Sequence, residues 1–315
     1  MKALVTGGAG FIGSHIVDLL VFEGHDVAVV DNLVGGARSN VNPNARFHQV
    51  DVGSVSFERV LRFERPEVVF HQAAQMSVKA STDDPLYDAQ VNVLGMVNVL
   101  EACVAAGVRK VVYASSGATY GNPIYLPIDE NHPQRPASPY GITKLAGEQY
   151  LAYYALARGL QYTALRYGNV YGPRQSPHGE AGVVAIFAHQ LLSGETPVVH
   201  WDGEQVRDYV YVADVALANL LAANQGDGRV YCIGTGVGTT VNHILSLLGD
   251  ILDMHVTACQ APQRAGDLRA AYFDATRAQT ELGWRPTVAL PTGLQKTVES
   301  MRRRVLSMPS RAVSA

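Results

Sequence analysis

The sequence predicts an α/β protein, a doubly wound parallel sheet carrying a smaller C-terminal α/β cap. Three observations predict it. Strand-like and helix-like segments alternate through the first half at the intervals of successive βαβ units. A glycine cluster (Gly7, Gly10 and Gly13) separates the first strand from the first helix. Beyond about Gly172 the alternation loosens into a mixture unsuited to a second doubly wound unit but suited to a cap over the C-terminal strand ends.

In chain order, apolar runs at 3–6, 26–31, 45–50, 68–71, 110–115 and 162–166 are the strand candidates. Helical patterns at 11–22, 57–63, 85–106 and 139–158 lie between them. Pro173, Pro177 and Gly179 mark a long loop. A helix at 183–192, a strand at 197–200 and helices at 214–223, 241–252, 276–282 and 292–303 follow. The expected division is residues 1–172 for the nucleotide-binding domain and 173–306 mostly for the cap, with some returns to the sheet. Residues 307–315 read as a disordered tail.

At 315 residues with 47% hydrophobic content, the chain can bury a large core. A net charge of −3 with 17% charged residues offers no basic field, so no nucleic-acid partner is expected. Cys103, Cys232 and Cys259 are scattered, without a CxxC pattern, which argues for reduced thiols rather than disulfides or zinc. No stretch reads as ~18–20 apolar residues and no leader pattern precedes the first strand, so a cytoplasmic protein without a membrane span is expected. His71 reads as a strand-end core histidine. His178 and Glu180 lack a partner pattern, so no metal is assigned.

Thr6-Gly7-Gly8-Ala9-Gly10-Phe11-Ile12-Gly13 follows a strand and opens a helix. Glycines there permit a tight turn and close backbone approach to a pyrophosphate at a helix N-terminus. Asp31, 18 residues past Gly13, ends the next strand. A carboxylate there can bond both ribose hydroxyls and would repel a 2′-phosphate, which favours NAD over NADP. Asp51 ends the third strand and is placed to meet the adenine, although Asp51-Val52-Gly53 would also make a turn.

Ser138-Pro139-Tyr140-Gly141-Ile142-Thr143-Lys144 reads as a helix start, with Ser138 as N-cap and Pro139 as the first helical residue. Tyr140 and Lys144 then share one helix face. A phenol titrates near ~10 in water, and a neighbouring ammonium brings it toward useful acid–base range.

With these motifs in hand, the sequence resembles the extended short-chain dehydrogenase/reductases, a Rossmann-type family. Within it the sequence is most similar to NAD-dependent nucleotide-sugar 4-epimerases of the UDP-galactose 4-epimerase type. The resemblance runs from Lys2 to about Arg303. It also rests on His71-Gln72-Ala73-Ala74-Gln75, Asn92-Val93-Leu94-Gly95, Arg166-Tyr167-Gly168-Asn169-Val170-Tyr171-Gly172-Pro173, Arg207-Asp208-Tyr209 through Asp214, and Arg264-Ala265-Gly266-Asp267.

The resemblance implies Ser116, Tyr140 and Lys144 as the catalytic group. Tyr140 would be the base, Ser116 would bond the sugar 4-hydroxyl, and Lys144 would bond the nicotinamide ribose. NAD would lie against Gly7, Gly10, Phe11, Ile12, Gly13, Asp31, Asn32, Asp51, Val52, Gln72, Ala73 and Ala74, with Asn92 holding a structural bond and Tyr167 near the carboxamide. Asn169, Arg207, Arg264, Asp267 and Ala271 would meet the substrate. Arginines suit a diphosphate because they offer bidentate, charge-assisted donors; the competing reading of Arg207-Asp208 is a surface ion pair.

The implied chemistry is oxidation at C4 followed by hydride return to the opposite face of a transient 4-keto sugar. Related dehydratases carry an acidic residue just after the catalytic Ser or Thr. Here Gly117 and Ala118 stand there, and neither transfers a proton. The implied substrates are UDP-glucose and UDP-galactose. Ala271 leaves room for N-acetyl forms, and UDP-glucuronate, dTDP- and GDP-sugars or a 4,6-dehydratase stay as alternatives; a non-catalytic NAD-binding protein would normally lack the Tyr or Lys. The resemblance also implies a homodimer through the helices at 85–106 and 139–158, with Leu94, Val97, Leu151 and Tyr154 as the outward face.

Overall fold

The computed structural model describes residues 1–178, 182–264 and 266–307. Strand β1 (Lys2–Thr6) leads into helix α1 (Phe11–Phe22), and β2 (Asp26–Asp31), β3 (Arg46–Gln49), α2 (Val55–Glu64) and β4 (Val68–His71) follow. Next come α3 (Val78–Asp83), α4 (Pro85–Ala89), a π turn at Gln90–Leu94, α5 (Gly95–Ala106), β5 (Lys110–Ser116), α6 (Pro139–Arg158) and β6 (Gln161–Tyr167). The remainder holds β7 (Asn169–Tyr171), α7 (Val183–Leu192), β8 (Val198–His200), β9 (Val206–Tyr211), α8 (Val212–Ala222) and β10 (Arg229–Ile233). It ends with β11 (Gly238–Thr240), α9 (Val241–Leu252), β12 (Cys259–Ala261), β13 (Ala270–Ala271), α10 (Thr276–Glu281) and α11 (Leu290–Ser307).

The main sheet runs β10-β6-β5-β4-β1-β2-β3, with every pairing parallel. Apart from the edge strand β3, its strands are largely apolar on both faces because helices cover both. Along β1, Ala3 and Val5 join α1, α8 and Trp284 on one face, while Leu4 faces α2, α5 and α6 on the other. The strand order reverses between β1 and β4. Their C-terminal ends, Thr6 and His71, therefore open a crevice of the kind where ligands bind in this architecture.

The polypeptide returns to this sheet late. β10 pairs with β6, α8 packs beside α1, and α10 with Trp284 closes the same face. The cap keeps its own core, built from Tyr171, Phe187, Leu191, Tyr209, Tyr211, Ile244, Leu248, Leu294 and Val298. Its small sheet is organised on β9, which pairs with β7, β11 and β13.

Several expectations need correction. The single helix expected over 85–106 is interrupted by the π turn, and a separate short helix, α3, precedes it. The segment Pro85–Ala106 does have the length and hydropathy of a membrane span, contrary to the reading that no stretch approaches one. In the fold, Met96, Val99, Leu100 and Cys103 spend that hydropathy on the sheet. Leu151 and Tyr154, expected on an outward face, lie in the same core. The outward large apolar residues of α6 are instead Ile142, Tyr150, Tyr153 and Leu156, and Leu94 of the π turn is exposed as well. α11 continues to Ser307, and residues 308–315 lie outside the described residues.

Candidate active site

The turn after β1 shows why its glycines are needed. Gly7 adopts φ +67°, and a Cβ there would come within 2.7 Å of the Ala73 nitrogen. A Cβ on Gly13 would lie 2.2 Å from the Gly7 carbonyl oxygen. Gly10 donates to that same oxygen at 3.0 Å and stands at the N-cap of α1, where no side chain caps the helix. The first-turn N–H groups are thus left to an outside acceptor. Phe11 and Ile12 pack against the cap core from this turn.

Asp31 is buried at the end of β2, where its carboxylate accepts from Ala9 N (3.0 Å) and Leu33 N (2.8 Å). That fixes a carboxylate beside the glycine turn. Asn32 donates to Asp51 Oδ2 (2.7 Å), and Asp51 Oδ1 accepts from Gly53 N (2.7 Å), so Asp51 is exposed and forms the turn its sequence suggested. Val52 points into the core. Beyond β4, Ala73 N donates to Thr6 Oγ1 (3.2 Å), Ala74 is half-buried, and Gln72 Nε2 donates to Asn219 Oδ1 (3.1 Å) and Tyr167 OH (3.3 Å). An uncapped helix N-terminus, a pinned carboxylate 18 residues on and a glycine turn too tight for Cβ atoms together fit a dinucleotide.

Ser116 ends β5 opposite Tyr167 in register, and its Oγ accepts from Ala118 N (3.1 Å). Helix α6 starts as its sequence predicts, with Ser138 Oγ accepting from Gly141 N (3.1 Å) and Pro139 in the first turn. Gly141 allows that first turn to close on the Ser116 loop, since a Cβ there would be 2.5 Å from Ala118 O. The Tyr140 amide is fixed by Ser81 Oγ (3.1 Å).

Lys144 is buried (4% exposed), donates to Ala114 O (2.8 Å), and its Nζ lies 5.8 Å from the Tyr140 ring centroid and 5.1 Å from that of Tyr113. Burial lowers its pKa to about 8, with the Asp88 carboxylate working the other way. His71 stacks on Tyr113 beneath this group, and its Nδ1 lies 2.8 Å from Thr6 Oγ1. Burial first, and the Lys144 charge second, push the imidazole down to about 3, so it is neutral. Burial also raises Tyr167 to about 12, against its hydrogen bonds with Asn219 and Gln72.

Two buried carboxylates beside these residues were not picked out from the sequence. Glu148, one turn past Lys144, accepts from Arg166 Nε (2.9 Å) and Nη2 (2.6 Å), from Ser115 Oγ (2.5 Å) and from Gln134 Nε2 (3.3 Å). Arg166 also donates to Tyr120 OH (2.6 Å). Asp88 accepts from Gln75 Nε2 (2.7 Å), Asn92 Nδ2 (2.9 Å) and Thr143 Oγ1 (2.9 Å). Asn92 meanwhile exchanges hydrogen bonds with the Gln75 backbone. Tyr-x₃-Lys-x₃-Glu and Asp-x₃-Asn are single-face helix spacings, the one signal that would have found them.

On the cap side, Ala271 pairs in register with Arg207, and Arg207 Nη1 donates to Val206 O (2.9 Å) and Leu268 O (2.8 Å). Arg207 Nη2 lies 3.9 Å from Asp267 Oδ1. The ion pair with Asp208 does not form: the Asp208 carboxylate turns inward to Thr235, Gly236 and Phe273. Arg264 is exposed, and its carbonyl closes the turn to Asp267 N (3.2 Å). Asn169 is exposed at the start of β7, in register with Tyr209. His178 meets the His189 ring at 5.2 Å, whereas Glu180 lies outside the described residues. Among the described residues no three His, Cys, Asp or Glu side chains cluster as metal ligands.

Comparison with known proteins gives the same picture. The family described as "NAD dependent epimerase/dehydratase family" matches residues 3–234. A UDP-glucose 4-epimerase of Mycolicibacterium smegmatis is 45% identical, spanning 96% of this chain and 99% of its own. The crystal structure of a Thermotoga maritima UDP-glucose 4-epimerase with UDP-glucose is 48% identical, with a TM-score of 0.95 over 97% of this chain and 100% of that one. A Thermus thermophilus UDP-glucose 4-epimerase in complex with NAD is 45% identical, with a TM-score of 0.92 over 96% and 99%.

Proposed function

The chain belongs to the NAD-dependent epimerase/dehydratase family, and from that premise we propose that it is an NAD-dependent 4-epimerase interconverting UDP-glucose and UDP-galactose through a transient 4-keto sugar. The observation that carries the reading is the Tyr140–Lys144 pair: a phenol facing a buried ammonium on the helix that closes on Ser116.

NAD would be held by Gly7, Gly10, Phe11, Ile12 and Gly13 at its pyrophosphate, and by Asp31, Asn32, Asp51 and Val52 around its adenosine. Gln72, Ala73, Ala74 and Tyr167 would line the nicotinamide end, with Asn92 bracing the loop after β4. When bound, NAD supplies the hydride acceptor that makes oxidation at C4 reversible. Tyr140 takes the proton of the 4-hydroxyl and later returns it, and Ser116 Oγ bonds that same hydroxyl. The charge of Lys144 favours the phenolate it faces.

Arg207, Arg264, Asp267 and Asn169 supply the donors and acceptors for a nucleoside diphosphate and its sugar at the cap edge. The small Ala271 beside Arg207 leaves room for N-acetyl sugars. A dehydratase is not favoured. Gly117 and Ala118 carry no proton-transfer group, and the Phe273 ring occupies the space beside Gly117, where a Cβ would meet its Cζ at 2.6 Å.

The domain division at residue 172 belongs to the same reading, with β10, α8 and α10 assigned to the sheet domain. Exposed Leu94, Tyr150, Tyr153 and Leu156 on neighbouring helices support a homodimer through α5 and α6. Gel filtration of Leu156→Glu would then show a monomer; an unchanged dimer would remove that face from consideration. A cytoplasmic location suits the reduced thiols of Cys103, Cys232 and Cys259.

The test is incubation without added NAD of UDP-glucose, UDP-galactose, their N-acetyl forms and UDP-glucuronate. Products of unchanged mass and inverted C4 are expected. Loss of water or carbon dioxide would reassign the reaction.

A further inference from the structure

We infer that Asp88 is a positioning residue of this site: its carboxylate is the counter-charge that keeps buried Lys144 an ammonium, and through Lys144 it sets the ionisation of Tyr140. This rests on the proposed roles of Tyr140 and Lys144.

Asp88 is fully buried. The three side chains that donate to its carboxylate are neutral, namely the Gln75 amide, the Asn92 amide and the Thr143 hydroxyl. Such a cage suits a carboxylate, because it offers donors to both oxygens. Thr143 lies between Tyr140 and Lys144 on α6, and its Oγ1 is also 3.0 Å from the Tyr140 carbonyl oxygen, which competes for the same proton. The carboxylate is therefore bound directly to the helical turn that carries the catalytic pair. Gln75 and Asn92 fasten the same carboxylate to the loop after β4 and to the π turn. The break in the helix over 85–106 thus coincides with the place where Asp88 and Asn92 converge.

The other titratable groups facing Lys144 cannot supply this counter-charge. His71 from β4 is neutral. Tyr113 from β5 has its phenol raised by burial and stays protonated. Glu148, on α6 itself, spends its charge on both nitrogens of the Arg166 fork from β6. Tyr140 is the group being tuned. Asp88 is left as the carboxylate whose field is not cancelled by a bonded arginine or lysine, and it opposes the burial that lowers Lys144. Its own repulsion of a Tyr140 phenolate acts in the opposite sense, so the Lys144 titration is the direct readout.

The experiment follows Lys144 directly, by carbon-13 NMR titration of its Cε in lysine-labelled protein, with the resonance assigned by Lys144→Met. Asp88→Asn and Asp88→Ser both delete the charge while keeping an oxygen for the donors. Thr143→Val deletes a hydrogen bond to Asp88 while keeping the charge. The expected result is a Lys144 midpoint lower by about one unit in either Asp88 variant, a tenfold fall in the ratio of charged to neutral Lys144, with Thr143→Val close to the parent. The alkaline limb of kcat should move down by the same amount, with KM for the nucleotide sugar little changed. An unmoved Lys144 midpoint in the Asp88 variants would overturn the inference, as would an equal shift in Thr143→Val. Because the titration needs no turnover, it can fail while epimerisation stands. Conversely, full activity in Tyr140→Phe would refute the parent reading without touching the titration.

Discussion

Replacing Glu148 with glutamine should destabilise the protein far more than the loss of one surface charge would. Glu148 and Arg166 are each 4% exposed at the side chain, and their closest approach is 2.6 Å. Burial works against the Arg166 charge, and the Glu148 carboxylate more than offsets it, holding the guanidinium above the usual arginine range. Glutamine keeps an acceptor oxygen but leaves the guanidinium buried without a counter-charge. Breaking a buried pair in this way costs about 3–5 kcal/mol. At roughly 2–4 °C per kcal/mol for a large domain, the thermal midpoint should fall by roughly 6–20 °C. The pair also ties α6 to β5 and β6 through Ser115 and Tyr120, so kcat should fall with it. The assay is urea and thermal unfolding of the parent, Glu148→Gln, Arg166→Met and the Glu148→Leu/Arg166→Met double variant. The double variant should recover part of the loss, since no unmatched charge remains. A Glu148→Gln protein within about 1 kcal/mol of the parent, the scale of an exposed pair, would refute this account.

Three further outcomes are expected. Tyr140→Phe should lower kcat by roughly 10²–10⁴-fold in a chromatographic assay of UDP-glucose and UDP-galactose interconversion, while calorimetry shows nucleotide-sugar binding retained. Gly13→Ala pushes a methyl to 2.2 Å from a backbone oxygen, so NAD binding followed by fluorescence should be lost along with stability. His71 titrates at about 3 when folded and near ~6.5 when unfolded. Between those values the unfolded state holds the extra proton, so stability falls as pH drops, by about 1.4 kcal/mol per unit. Urea midpoints of His71→Asn should decline less steeply with acid than those of the parent, and parallel slopes would show that His71 does not contribute.

The sheet was legible because its chemistry is local. Five of its seven strands, β1, β2, β4, β5 and β6, are short and largely apolar runs, and α1 and α6 announce their starts through Gly10 and through Ser138-Pro139. β10 was not legible. Arg229–Ile233 is an edge strand whose place beside β6 depends on the preceding helix α8 packing against α1, and no periodicity within five residues reports that. The cap sheet escaped for the same reason: β7, β11 and β13 each hold three residues or fewer and exist as strands only because β9 accepts them.

The site divides along the same line. Ser116, Tyr140, Lys144 and the glycine turn are fixed by neighbours within a few residues, so spacing alone could place them on one turn or one helix face. Arg207 shows the limit of spacing. Adjacency to Asp208 suggested an ion pair, yet strand alternation sends neighbouring side chains to opposite faces, and Asp208 turns to Phe273 while Arg207 turns to the 267–268 loop. The outward face of α6 was misassigned for an analogous reason. A helix apolar around much of its circumference does not say which third of it the sheet will take, and the sheet took Leu151 and Tyr154, leaving Tyr150, Tyr153 and Leu156 outside. Asp88 and Glu148 belong with these. Their partners, Thr143 and Arg166, lie 55 and 18 residues away, so a buried carboxylate looks like any other acidic residue until the helices that enclose it are packed. The groups that carry out the chemistry could be read along the chain, whereas the charges that tune them are set by packing across it.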